Sequence, residues 1–448
     1  MKRLFGTDGI RAVAGECPLD RATVRRFGAA LAEVLLHAGA RPPRVVLGRD
    51  TRESGPWLRD AVVFGLGSRG GSVVDAGVIT TPGLAHAVRT GEFDAGVMIS
   101  ASHNSYEDNG LKTFGADGQK IPDALEEEIE RLILDEAIGV PAGTSNSPSL
   151  DASLVRRYIE YLEGVVSPRG RFDGMSILLD CAHGAASGIA PEVFRFHGAT
   201  VETIGASPDG RNINHECGSM HLASLSAAVR GRGCDLGLAF DGDADRALAV
   251  DRRGRRVDGD HILYLAARGL KRAGRLRGDL VVATVMSNFW LEQRLAEEGI
   301  RLLRAPVGDK YVLERMVAED AALGGEQSGH VIFRDRSIAG DGILTGLILL
   351  NTLLAEDKTL EEILDGIAPC PQLLINVRVR EKPDLRDHPA IGPVLAEVES
   401  ALAGTGRVVL RYSGTEPLAR VMVEGTDGEA VRGSCQRLVE VIERELGS

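Results

Sequence analysis

The sequence predicts an α/β fold in which three related α/β domains are followed by a smaller C-terminal α+β domain. Three observations carry this expectation. The chain has 448 residues, about the length of three ordinary domains. Three short apolar runs, Arg44-Val45-Val46-Leu47-Gly48-Arg49-Asp50, Ser176-Ile177-Leu178-Leu179-Asp180 and Leu280-Val281-Val282-Ala283-Thr284, each end in a polar loop and lead into a helical stretch. Continuous apolar runs alternating with helices are the pattern of buried strands in α/β units. The runs recur at roughly 100–130 residues, far above the period of a solenoid, so they mark whole domains. The last part of the chain follows a different order.

The first domain is expected over residues 1–149. Its closing helix, Asp123 to Leu134, places Leu125, Ile129, Leu132 and Ile133 on one face, and Pro141 to Ser149 then reads as a linker of Pro, Gly, Ser and Asn. The second is expected over 150–254 and the third over 255–368, divided near Arg252–Asp258 by little more than Gly and polar residues. Past Pro369-Cys370-Pro371 come a strand-like 372–380, a helix carrying Val394, Leu395, Val398 and Leu402, strands at 406–412 and 418–424, and a final helix. This β-α-β-β-α order defines the α+β domain at 369–448.

Composition narrows the function. Apolar residues make up 44% of the chain, enough for sizeable cores, and the formal net charge is −12. An acidic surface repels nucleic acid and anionic membranes, so neither is an expected partner. An anionic substrate would have to be met by local Arg, Lys and backbone N–H groups. The six cysteines, Cys17, Cys181, Cys217, Cys234, Cys370 and Cys435, show no C-x-x-C spacing and read as free buried thiols of a reducing compartment. The amino terminus turns polar at once, without the apolar region of a signal peptide. Ile343 to Leu354 is interrupted by Thr345, Gly346, Asn351 and Thr352 and suits a buried helix better than a membrane span. A soluble, cytoplasmic protein is expected.

Four segments hold chemistry. Asp241-Gly242-Asp243-Ala244-Asp245-Arg246 follows the apolar run Leu236 to Phe240, which puts three carboxylates in one narrow loop leaving a strand. Their mutual repulsion calls for a hard cation with oxygen ligands, although a lone D-x-D is often only a solvated turn. An EF-hand calcium loop is excluded, because Arg246 and Arg252 stand where it needs Gly and Glu. Magnesium, which takes few carboxylates together with phosphate oxygens, fits better. Ser102 follows the apolar Ala95 to Ile99 and is flanked by Ala101, His103 and Asn104. A Ser-His pair alone more often caps a turn, and no G-x-S-x-G marks a serine hydrolase. Asp108-Asn109-Gly110-Leu111-Lys112 reads as a turn followed by a cation able to approach the same place. Gly324-Gly325-Glu326-Gln327-Ser328-Gly329-His330 alternates glycines with polar groups, as a loop contacting sugar hydroxyls would, or as any flexible loop does. Arg411-Tyr412-Ser413-Gly414-Thr415-Glu416-Pro417, with Arg420 beyond, joins two strands. It offers N–H donors and guanidinium groups to a phosphate, or is a hairpin with two surface arginines.

Together with Phe5-Gly6-Thr7-Asp8-Gly9-Ile10-Arg11, these segments resemble, in order and over nearly the whole chain, the α-D-phosphohexomutase superfamily. The resemblance implies a heart-shaped four-domain architecture around one cleft. It implies that Ser102 is phosphorylated, and that Asp241, Asp243, Asp245 and an oxygen of that phosphoserine hold one Mg2+. Glu326 and Ser328 would bind sugar hydroxyls, and Arg411, Ser413, Gly414, Thr415 and Arg420 the phosphate that stays put. Lys112, Arg246, His103, Arg11 and His330 would complete the catalytic set, with Lys112 or His330 as general acid/base. A sugar bisphosphate would be the intermediate or activator. Ser105 stands where the family usually has Pro, and Tyr412 where it commonly has Lys or Pro; neither change removes a catalytic group. The amino-terminal run and Glu326 to His330 resemble the branch acting on glucosamine phosphate, which feeds UDP-N-acetylglucosamine and cell-wall precursors. Phosphomannomutase or phosphoglucomutase activity is the alternative. A phosphatase using Asp241, or a silent sugar-phosphate-binding protein, would be the reading of a different class. A hexosamine phosphate is the expected partner, and the protein is expected to be a monomer or homodimer.

Overall fold

Each of the three apolar runs lies in a separate sheet, and is the first in chain order of four strands that repeat one plan in all three. The computed structural model describes residues 4–6, 8–39, 41–135, 138–139, 148–166, 171–413 and 416–448. In the first sheet Arg44–Arg49 lies between Ser72–Val78 and Ala95–Ile99, parallel to both, and Asp108–Gly115 runs antiparallel beyond Ala95–Ile99. The second repeats this with Ser176–Asp180 between Thr200–Ile204 and Leu236–Phe240, and Ala247–Asp251 antiparallel outside. The third has Leu280–Thr284 between Arg301–Ala305 and Leu323–Gly325, with Val331–Phe333 antiparallel. The order is therefore second, first, third, fourth in every case. The middle residues of the first strands, Val45 to Leu47, Ile177 to Leu179 and Val281 to Ala283, are fully buried. Being covered on both faces is why these strands read as unbroken apolar runs.

The first sheet grows to seven strands. Phe5–Gly6 and Gly9–Val13 extend it past Asp108–Gly115, and Ser149–Leu150 pairs with Val74 and Asp75 on the far edge. The end of the stretch read as a linker is thus part of a sheet, while 141–147 lies outside the described residues. The helix Asp123–Leu134 has the predicted bounds. In the last unit Gln372–Arg378 and Gly406–Tyr412 flank Leu418–Gly425, all antiparallel, with helices Ile391–Ala401 and Gly428–Leu446 packed on them. This is the expected β-α-β-β-α order, the first strand ending at Arg378 rather than 380.

Two expectations are corrected. Asp108 to Lys112 is not a turn but the start of a central strand, Asp108–Gly115. Its first two polar side chains are bonded, Asn104 Nδ2 donating to Asp108 Oδ2 and Asn109 Nδ2 to Ser54 Oγ, both at 2.8 Å. Gly110 allows the close approach of the Ser100 and Ile10 carbonyls, which a Cβ would meet at 2.6 and 2.9 Å. Cys17 is exposed, whereas the other five cysteines are free and buried as expected. The helix Gly342–Glu356 is buried along most of its length, and among the described residues no helix is long and apolar enough to cross a membrane.

Candidate active site

The shared sheet plan puts three of the four singled-out segments at one topological position. Ser102, Asp241 to Arg246, and Glu326 to His330 all lie between the third and fourth strands of their sheets. Carboxyl ends of parallel strands are where α/β sheets present ligand-binding groups. The loops are stitched to one another. Thr81 N–H donates to the Asp243 carbonyl at 2.9 Å and Ala247 N–H to that of Gly329 at 3.0 Å. Ser102 (φ 53°) and Ala244 (φ 55°) are both left-handed, a conformation that costs a non-glycine residue about 1–3 kcal/mol and persists where the surroundings enforce it. Gly242 makes the closest approach possible: a Cβ there would lie 2.6 Å from the Ser102 carbonyl oxygen.

That approach brings the serine onto the carboxylates. Ser102 Oγ–H donates to Asp241 Oδ2 at 2.5 Å, and Arg246 N–H to Asp241 Oδ1 at 3.2 Å. Lys112 Nζ, on the strand read as a turn, reaches Asp243 Oδ2 at 2.8 Å, Asp8 Oδ2 at 3.2 Å and Asp245 Oδ2 at 3.3 Å. Burial works to lower the Lys112 pKa. The carboxylates of Asp243, Asp8 and Asp245 outweigh it and hold the amine charged, its pKa well above the ordinary value. Burial, followed by the charges of Asp245 and Asp243, pushes Asp241 well above the usual carboxylate range. Asp245 lies well below that range, because Lys112, His330 and Arg246 overcome its burial.

The loop fits a metal ion. Ligand oxygens of Asp241, Asp243 and Asp245 lie within 4.8 Å of one another. Asp243 Oδ1 and Asp245 Oδ1 are buried without a hydrogen-bond partner, an arrangement too costly to keep unless a cation answers it.

Around this centre Arg246 Nη1 donates to His103 Nδ1 at 3.1 Å, and Ser102 Oγ lies 3.3 Å from the same nitrogen. The Arg246 bond assigns Nδ1 as an acceptor, with the ring proton on Nε2. Burial, then Arg246 and Arg11, lower the His103 pKa to about 4. His103 is neutral at neutral pH. His330 lies 3.8 Å from both Asp245 Oδ2 and Asp309 Oδ2. Burial works to lower its pKa, but those carboxylates and Glu326 raise it, while Gly340 N–H donates to its Nε2 at 3.2 Å. The two influences oppose: the amide needs a bare Nε2, the carboxylates favour a second proton. Glu326 accepts from Gly308 N–H at 3.0 Å and from Ser328 Oγ at 3.3 Å. Arg11 pairs with Asp8 at 2.8 Å.

Asp8, Thr81, Lys120 and Asp309 also belong to this cluster and were not singled out from the sequence. Thr81 Oγ donates to Asp243 Oδ2 at 2.6 Å, and Lys120 bridges Asp8 and Asp309. Of the four, only Asp8 lay in a segment already marked, the amino-terminal run ending at Arg11.

The fourth segment stands apart. Among the described residues, no hydrogen bond or ion pair joins Arg411, Ser413 or Arg420 to the Ser102 centre; Gly414 and Thr415 lie outside those residues. Arg411 and Arg420 are direct cross-strand partners, a like-charge placement that disfavours the sheet and that an anion between them would reverse. Arg420 Nη2 donates to Ser413 Oγ at 3.4 Å, and its Nε is buried without a partner. The unit carrying them is tied to the third sheet through Arg407 Nη2, which donates to the carbonyls of Val285 (2.7 Å) and Ser287 (2.8 Å).

This constellation, on three like sheets and a fourth unit, matches four family models in order. They are phosphoglucomutase/phosphomannomutase alpha/beta/alpha domain I over residues 2–138, domain II over 156–254, domain III over 258–370 and the C-terminal domain over 374–441. The chain belongs to the phosphoglucomutase/phosphomannomutase family. Its relatives include the phosphoglucosamine mutase of Solibacter usitatus, 52% identical over 447 residues that cover 100% of this chain and 99% of that one. Another is the phosphoglucosamine mutase of Deinococcus radiodurans, 47% identical with 99% and 98% covered. The fold is shared with a phosphoglucomutase/phosphomannomutase family protein of Burkholderia thailandensis, at TM-score 0.80 and 24% identity over 100% of both chains. It is also shared with Aspergillus fumigatus N-acetylphosphoglucosamine mutase, solved with GlcNAc-6P and magnesium, at TM-score 0.64 and 18% identity over 99% and 96%.

Proposed function

We propose that this protein is a phosphoglucosamine mutase, interconverting glucosamine 6-phosphate and glucosamine 1-phosphate through phosphorylated Ser102 and a sugar bisphosphate. The observation that carries the chemistry is Ser102 Oγ held 2.5 Å from Asp241 beside the oxygens of Asp243 and Asp245 that lack a hydrogen-bond partner. The choice of amino sugar is supported by the full-length likeness to enzymes of that name. The division into units at 149/150, 254/255 and 368/369 is part of the same reading.

Asp241, Asp243, Asp245 and an oxygen of phosphorylated Ser102 would hold a magnesium ion, which supplies charge neutralisation to the phosphoryl oxygens. Lys112, held charged by Asp243, Asp8 and Asp245, is assigned the role of a fixed positive charge toward the same oxygens rather than that of the base. Proton exchange is assigned to His330, whose Nε2 accepts from the Gly340 amide while Asp245, Asp309 and Glu326 favour its protonated form. The substrate hydroxyl attacks the phosphorus of phosphorylated Ser102, giving its proton to His330, as the Ser102 Oγ–P bond breaks. The bisphosphate turns over, and its other phosphoryl group returns to Ser102 while the freed sugar oxygen is reprotonated. Such a reaction depends on positioning and charge. Arg411 and Arg420 grip the phosphate not in transfer, Glu326 and Ser328 meet ring hydroxyls, and Arg11 and neutral His103 line the approach. A free bisphosphate would reload an empty serine. A phosphatase using Asp241 as nucleophile is disfavoured, because that carboxylate is fully buried with Ser102 and the Arg246 amide on its oxygens.

Glucosamine, glucose and mannose phosphates assayed side by side with magnesium test the assignment. Glucosamine phosphate should have the highest kcat/KM; a higher value for mannose or glucose phosphate would move the chain to another branch. Asp243→Asn should raise the magnesium concentration for half-maximal rate about 10-fold or more, since even indirect supports of a metal are worth about 10–100-fold. An unchanged requirement in a magnesium titration would remove Asp243 from the metal set. Arg420→Ala loses charge-assisted bonds of about 1.5–3 kcal/mol. It should raise KM about 10–100-fold, and steady-state kinetics showing an unaltered KM would take Arg420 out of phosphate binding.

A further inference from the structure

Arg52 sits in the loop after Arg44–Arg49, and its side chain is fully buried, 0% exposed. A guanidinium has five N–H donors in a fixed plane, and here every one is engaged. Nε donates to Asp50 Oδ2 at 2.9 Å. Nη1 donates to the carbonyls of Ser105 and Asp108, and Nη2 to those of Ser102 and Asn104, both at 2.9 Å. Asn214, reaching over from the second sheet's side, adds Nδ2 bonds to the same Ser102 (2.9 Å) and Asn104 (2.8 Å) carbonyls. On the other side of the peptide, Ser102 N–H donates to Ser100 Oγ at 2.9 Å, and Ser100 Oγ–H to Asp50 Oδ2 at 2.7 Å. The main chain of Ser102 is thus held at its N–H and its carbonyl, in the left-handed conformation, with only Oγ left to react.

We propose that Arg52, seconded by Asn214, is a positioning residue for phosphoryl transfer: its planar fork fixes the backbone that aims Ser102 Oγ at the aspartate loop. Arg52 touches neither substrate nor the reacting oxygen and acts through four carbonyl groups. Lysine keeps the charge but offers one nitrogen with no fork, so it cannot hold four separate carbonyls. A misplacement of about 1 Å in a reacting group costs on the order of 10²-fold in rate.

The inference rests on Ser102 being the phosphoryl carrier. The test uses the full chain with glucosamine 1,6-bisphosphate as phosphoryl donor, following Ser102 phosphorylation by intact-mass spectrometry beside steady-state kinetics and thermal unfolding. Folded Arg52→Lys should phosphorylate Ser102 about 10²-fold more slowly than wild type, with kcat falling in parallel and KM changed less than about threefold. Asn214→Ala, which leaves the Arg52 fork in place, should lose about 10-fold in the same two rates; if Arg52→Lys does not fold, this variant decides. A folded Arg52→Lys or, in its absence, a folded Asn214→Ala with wild-type phosphorylation rate and kcat overturns the proposal, whatever its melting temperature. Wild-type enzyme that acquires no phosphate on Ser102 would instead remove the functional reading beneath it.

Discussion

Ser102→Ala should abolish turnover, lowering kcat by more than about 10⁴-fold, the scale seen when a covalent-catalysis nucleophile is deleted. Alanine has no oxygen to carry a phosphoryl group, and no neighbour can substitute. His103 is neutral and its Nδ1 is taken by Arg246, while Asp241 is buried beneath the serine. The fold should survive, because the backbone bonds from Ser102 N–H and to its carbonyl from Arg52 and Asn214 do not involve Oγ. The 2.5 Å bond to Asp241 and the 3.3 Å contact with His103 Nδ1 are lost. A mutase assay with circular dichroism on one sample separates the two effects. Near-wild-type turnover would sink the assignment.

Lys112→Met should cost both activity and stability. The ammonium is 1% exposed and answers Asp8, Asp243 and Asp245. A methionine of similar length leaves those carboxylates facing one another. Removing one partner of a buried ionic cluster typically costs about 3–5 kcal/mol. The loss should be larger in a chelator than in magnesium, because a cation bound by Asp243 and Asp245 relieves the same repulsion. Turnover should fall at least about 10²-fold with the loss of a preorganised charge. Urea unfolding with and without magnesium reads the first effect; a midpoint equal to wild type in chelator would contradict the electrostatic account.

The central parallel strand of each of the three like sheets was legible because it is buried on both faces. Val45 to Leu47 or Val281 to Ala283 can only be apolar there, and such runs stand out without any partner in view. The aspartate loop was legible because its three carboxylates alternate within five residues directly after a buried strand. Lys112 was found but misplaced. Asp108 and Asn109 have the composition of a turn, and only the neighbouring strand Gly9–Val13, which pairs Val13 with Asp108 and Ala12 with Asn109, makes them sheet residues. Arg52, Thr81, Asn214 and Asp309 were invisible for another reason. Each is a single polar residue in an ordinary-looking loop or helix end, and its meaning lies in a contact more than 40 residues away in sequence. Cys17 was misjudged because a free thiol carries no local mark of exposure. The identical strand order of the three sheets could not be read from the apolar runs, which reveal where a strand is and not its neighbours.

Whether Ser102 carries the phosphoryl group is read by peptide mapping with mass spectrometry after incubation with glucosamine 1,6-bisphosphate and magnesium. One phosphate is expected, on the peptide containing Ser102, discharged when glucosamine 6-phosphate is added. Phosphate on Asp241, or turnover with no phosphorylated residue, would contradict that role of Ser102.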